Sequence, residues 1–140
     1  MSFSLNVPLA LPLAVTAIYA SFLALFLVIL AVPVIKLRRG LRVGLGDGGH
    51  QSLQQAIRAH GNASEFIPVF LILLAIYELN RAPVAALHIF GVAFVLARLA
   101  HAWGIYSNSG KSIGRVIGVV GTFTTLTILA GANLWRVLAG

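Results

Sequence analysis

The chain contains no cysteine. That excludes disulfides, thiolate metal sites and a cysteine nucleophile, so any thiol chemistry here needs a thiol supplied from outside. Charge is nearly as scarce: Lys, Arg, Asp and Glu make up 9% of 140 residues, and none of them occurs before Lys36. With 59% hydrophobic residues and a mean hydropathy of +0.97, the composition excludes an ordinary water-soluble domain and points to an integral membrane protein. Acidic residues number only three, leaving a net charge of +7. The positive residues Lys36, Arg38, Arg39 and Arg42 cluster beside an apolar run, which reads as a topology signal and argues against nucleic acid as a partner. His50 and His88 have no carboxylate at ligand spacing, so no metal site is expected.

A basic start and a short apolar stretch before a small-residue cleavage site are also missing. The first apolar run instead extends from about Val7 to Ile35 and ends in KLRRG, so it is expected to stay in the mature chain. Pro8 and Pro12 fall in or before its first turn, and Pro33 is expected to mark its far end.

Four apolar segments, at about 9–35, 53–77, 83–101 and 113–137, each reach the roughly 20 residues that cross a bilayer core. Their short connections predict an all-α membrane protein: a single domain over 1–140, built as an up-down bundle of four transmembrane helices. Ser52-Leu53-Gln54-Gln55 has the form of a capping box, which places the start of helix two near Ser52. Gly44 to Gly49 lacks the Lys-Ser/Thr pair of a phosphate loop and reads as a flexible turn. Gly114, Gly118 and Gly121 have the small-residue spacing that lets membrane helices approach closely. Positive residues in the first and third loops predict that both are cytoplasmic and that both termini are outside.

Against this background the stretch RAHGNASE, residues 58–65, is anomalous, because it puts a guanidinium, an imidazole, an amide and a carboxylate within eight residues of a nearly uncharged chain. At about 100° per residue, Arg58, Asn62 and Glu65 fall on one face of helix two, and His60 points away from it. Helical rise places Glu65 about 10 Å inside the cytoplasmic edge of a 30 Å core, with Arg58, Arg98 and Arg115 near the same level. Arg98 and His101 share a face of helix three. One reading is structural: Arg58 and Glu65 pair with Arg98 to lock the bundle, since an unpaired charge in a membrane is costly. That leaves a surplus of arginine over the carboxylate of Glu65, and such a surplus suits an anionic ligand that also carries an ammonium or amides.

LQQAIRAHGNASEFIPVF resembles the signature of the MAPEG family, the membrane-associated proteins in eicosanoid and glutathione metabolism, and above all its small bacterial inner-membrane branch. The similarity is specific from Gly46 to Pro68, with weaker support from RLAH at 98–101 and ANLW at 132–135. It implies a homotrimer of four-helix subunits in a bacterial inner membrane, binding glutathione between subunits toward the cytoplasmic side. By motif position it implies Arg58, Asn62 and Glu65 as ligand-binding residues, Glu65 being a partner for the glutathione ammonium. Arg98 and His101 match the helix-three pair, Arg38 and Tyr106 join the ligand set, and Arg115 falls near the family's thiol-activating arginine. Gly61 and Ile105 stand where eicosanoid-pathway members carry arginine and tyrosine. The implied activity is therefore the general one, a glutathione transferase or peroxidase acting on lipophilic electrophiles taken from the membrane lipid. The alternative is a non-catalytic membrane protein binding an amphiphile or a partner helix at the same place. Transport is disfavoured because FIPVFLILLAIY carries no polar step across the span.

Overall fold

The computed structural model describes residues 12–108 and 110–139. They form α1 (Ala14–Leu41), α2 (Gln51–Leu79), α3 (Val84–Ser107) and α4 (Ile113–Ala139), with no strand among the described residues. Each helix is long and apolar enough to cross a membrane. Cross-helix bonds fix the up-down order. The start of α1 meets the end of α2 through Thr16 and Glu78 and the start of α3 through Tyr19 and His88. At the other end Gln55 of α2 reaches the carbonyl of Ile105 on α3. α2 touches all three other helices, whereas α1 and α4 do not meet among the described residues.

The interior is apolar, and so is the outside. Phe70 of α2 stacks flat on Phe94 of α3 with 3.9 Å between ring centroids, and both rings are fully buried. Outward-facing Phe22, Leu25, Ile29, Ile72, Ile89 and Leu96 are each at least 60% exposed, an apolar girdle that is stable against lipid or another subunit rather than water. Between α3 and α4 the contact is backbone on backbone. A Cβ at Gly114 would lie 3.0 Å from Gly104 Cα, and one at Gly121 would lie 3.0 Å from Ala97 Cβ, as the small-residue spacing anticipated. Gly91 likewise leaves room for the Tyr19 ring against the α3 backbone.

The first turn of α1 has no side-chain cap of its own. Its free N–H groups are met from α2: the Glu78 carboxylate accepts from the backbone N–H of Val15 at 2.9 Å and of Thr16 at 2.7 Å. Glu78→Gln removes the charge and one of the two carboxylate oxygens. It is expected to lower the apparent melting temperature in detergent by roughly 2–6 °C, followed by circular dichroism.

Several boundaries differ from those read in the sequence. The expected start near Leu9, with Pro8, lies outside the described residues, and Pro12 sits just before α1. Pro33 does not end α1 but lies inside it, and the helix runs on through Lys36, Arg38 and Arg39 to Leu41. A proline removes one N–H donor, which a long, packed membrane helix tolerates, and Pro68 within α2 is a second case. α3 continues six residues past His101 to Ser107, because no proline breaks it there and Gly104, the glycine in that stretch, packs against α4 within the helix. The capping box is not formed: α2 begins after His50 without a side-chain cap, and Gln55 spends its amide on α3 instead.

Candidate functional site

At the end of the bundle where α2 and α4 begin and α3 finishes, a cavity of about 660 Å³ opens to the surface. The α2 stripe supplies one wall, with Arg58, Asn62 and Glu65 all lining it, as their common helical face requires. His101 and Ile105 of α3 and Arg115 of α4 close the other sides. Arg58 and Glu65 are exposed, Asn62 and Arg115 half-buried, and His101 is only 7% exposed. His60 does not line the cavity.

Arg115 is held in the first turn of α4. Its backbone N–H donates to the Ser112 hydroxyl at 3.3 Å, and its guanidinium Nη2 donates to the Asn108 carbonyl at 3.0 Å, tying the α3–α4 turn to the helix. The Arg115 carbonyl faces His101 Nδ1 at 3.4 Å. A carbonyl can only accept, so this contact requires the proton on Nδ1 and leaves Nε2 as an acceptor in the neutral ring.

Arg98 sits behind the cavity rather than in its wall. It is 2% exposed, its Nη1 donates to Asn62 Oδ1 at 2.6 Å, and its Nη2 donates to the Gly118 carbonyl at 3.3 Å. The guanidinium carbon lies 5.5 Å from the Phe66 ring centroid and 6.0 Å from that of Phe94, a cation–π setting in place of water. Both hydrogen bonds go to neutral acceptors, so the Arg98–carboxylate lock considered from the sequence is replaced by an amide and a backbone carbonyl.

Arg38 and Tyr106 are placed outside the cavity. Arg38 Nη1 donates to the carbonyls of Val43, Gly44 and Gly46, so it folds the α1–α2 loop back on the end of α1. Tyr106 lies on the outer face of α3, 42% exposed. The structure adds Gln51, Gln54 and Gln55 to the lining. They extend the α2 stripe by one and two turns toward its start. The signal was present in the spacing 51, 54/55, 58, 61/62, 65, but Gln55 was absorbed into the capping-box reading.

A four-helix membrane bundle with an amide-, guanidinium- and carboxylate-lined cavity at one end is the architecture, and the chain belongs to the MAPEG family, whose sequence model matches residues 16–135. Among its relatives is the inner membrane protein YecN of Escherichia coli K12, 39% identical over 121 residues that cover 86% of this chain and 91% of that one. YecN of Escherichia coli O6:H1 matches to the same extent. The protein sll1147 of Synechocystis is 29% identical over 87 residues, 61% of each chain.

Proposed function

We propose that this protein binds glutathione in the cavity and acts as a glutathione transferase or peroxidase on lipophilic electrophiles. The observation that carries the reading is the convergence of Arg58, Asn62, Glu65 and Arg115, from two helices, on one cavity. Its volume, about 660 Å³, falls in the range of small-molecule sites of about 300–1,000 Å³. Glutathione offers two carboxylates for the arginines, an ammonium for Glu65 and two amides for the glutamines. It also brings the thiol that the cysteine-free chain lacks.

In the transferase reaction the thiol proton leaves to water, and the thiolate sulfur forms a bond to an electrophilic carbon. Either a leaving group departs with its electron pair, or, in conjugate addition, the π pair moves onto the adjacent carbon and is protonated from water. In the peroxidase reaction the thiolate attacks the hydroperoxide oxygen. That yields an alcohol and a sulfenic acid, which a second glutathione converts to the disulfide and water. In both, a guanidinium beside the sulfur favours the thiolate, and arginine keeps its charge when partly buried.

The reading extends to assembly and placement. Arg58 and Glu65 are exposed in one subunit, so the cavity is enclosed only when another copy covers it, in a homotrimer. Native mass spectrometry is expected to show three copies, and a stable monomer would remove the intersubunit site. Lys36, Arg38, Arg39 and Arg42 lie at the same end as the cavity, which supports a cytoplasmic opening in an inner membrane like that of the Escherichia coli relative.

Titration of the detergent-solubilised protein with glutathione, with heat and thiolate absorbance recorded together, tests the function. Binding with a thiolate signal supports catalysis. Binding without one leaves a non-catalytic binding protein, and no binding overturns the glutathione assignment. Glu65→Gln is expected to weaken binding about tenfold while the protein remains folded, the scale of one lost charge-assisted hydrogen bond.

A further inference from the structure

Arg98 and Asn62 together determine which kind of ligand atom the cavity accepts at its inner wall. The amide of Asn62 has two ends of nearly the same shape, and its neighbour decides which way they point. A guanidinium carries only donors, so the Asn62 atom 2.6 Å from Arg98 Nη1 must be the carbonyl oxygen Oδ1. The Nδ2 amine is then the end left for the cavity, which Asn62 lines from a half-buried position. None of the hydrogen bonds of the described residues uses Nδ2, and it is not among the buried polar atoms lacking a partner, so it is reachable from the cavity.

Arg98 is itself unable to turn over. It is 2% exposed, flanked by Phe66 and Phe94, and anchored by Nη2 to the carbonyl of Gly118. That carbonyl also accepts from the Thr122 hydroxyl at 2.7 Å. The chain from Thr122 and Gly118 through Arg98 to Asn62 thus crosses from α4 to α3 to α2. We infer that Arg98 is a positioning residue: by occupying Asn62 Oδ1 it presents Asn62 Nδ2 to the cavity as a fixed donor, which selects an acceptor atom of the ligand, a carboxylate, amide carbonyl or thiolate, over an ammonium. The ammonium is left to Glu65. This division of labour rests on the glutathione reading for the identity of the ligand, and on the geometry alone for the orientation of the amide.

The test uses the full chain labelled with 15N-asparagine, in which Asn62→Asp identifies the Asn62 side-chain amide resonances by their loss. Arg98→Met is expected to shift or broaden those resonances and to weaken glutathione binding about tenfold, whereas Arg98→Lys, whose ammonium also only donates, recovers most of both. Asn62→Asp keeps a partner for Arg98 but turns the cavity-facing donor into a charged acceptor. It should weaken binding at least as much as Arg98→Met, with melting temperature retained. The inference is overturned if Arg98→Met leaves the amide resonances and the affinity in place. It is equally overturned if a folded Asn62→Asp protein binds glutathione as tightly as wild type, which remains decisive should Arg98→Met not assemble. Amide resonances that respond to Arg98→Met but not to Arg98→Lys, in a protein that binds no glutathione, would uphold the positioning role and overturn the glutathione reading.

Discussion

Gly118→Ala is expected to damage the protein more than any other addition of a single methyl to α4. The new Cβ would lie 2.6 Å from His101 Cα and 2.7 Å from His101 N, and it would also press on His101 Cβ. Two of those are backbone atoms, which cannot rotate aside, so α3 and α4 must separate. The separation acts where Arg98 Nη2 and the Thr122 hydroxyl share the Gly118 carbonyl and where His101 meets the Arg115 carbonyl. Intrinsic helix propensity runs the other way, favouring alanine over glycine by about 1 kcal/mol. The net loss is nevertheless expected to be about 3 kcal/mol, at the upper end for overpacking, and to take ligand binding with it. Gly131→Ala, on the same helix with nothing within 4 Å of its added Cβ, is the control and should be neutral or slightly stabilising. A Gly118→Ala protein that melts with the wild type would show that the α3–α4 seam is looser than the backbone contacts imply.

The seam illustrates what a sequence discloses and what it does not. The spacing of Gly114, Gly118 and Gly121 announced a close approach, because small residues on one helix face have few other uses in a membrane. Nothing in that spacing named the partners Ala97, His101 and Gly104, which depend on the register of α3 against α4. The number of helices was legible from the length of the apolar runs. Their ends were not, because Pro33 and the basic residues after it look like a terminus in composition while the backbone hydrogen bonding continues. Glu78 is similar: nothing beside it in the sequence announces its service to the first turn of α1, which lies 62 residues away.

The cavity was partly visible for a simpler reason. Three polar side chains at 58, 62 and 65 share a face whatever α2 packs against, so periodicity alone grouped them. The roles of arginines from different elements could not be ordered in that way. Arg98 and Arg115 were equivalent as charges at one depth, and Arg38 joined them in the expected ligand set, yet Arg38 folds a loop, Arg98 is sealed behind Asn62 and Arg115 lines the cavity. Burial sets Arg98 apart, and partners set Arg38 apart from Arg115, and both are properties of the packed bundle.

Under the proposed glutathione activity, Arg115→Leu is expected to lower turnover by about 10²–10³, the scale of losing one preorganised group that stabilises charge at the reacting atom. Affinity should fall less, because the attraction strengthens as charge gathers on sulfur. The pH dependence carries the sign. Activity requires the thiolate, so it rises with pH through the pKa of the bound thiol, ordinarily about 8.5 and lowered by a neighbouring guanidinium. Removing that guanidinium raises the pKa and moves the rise to higher pH, so the deficit should be largest near neutrality and narrow above about pH 9. Arg115→Lys should recover part of the activity, since an ammonium supplies charge without the planar fork. The structure also gives Arg115 a second task, holding the α3–α4 turn through the Asn108 carbonyl, and loss of that bond alone would lower melting temperature without moving the profile. A folded Arg115→Leu protein with wild-type thiolate absorbance and an unshifted pH profile would confine Arg115 to the turn. The thiolate would then fall to Arg58, the other arginine in the cavity wall, rather than to Arg98, which Asn62 separates from the ligand space.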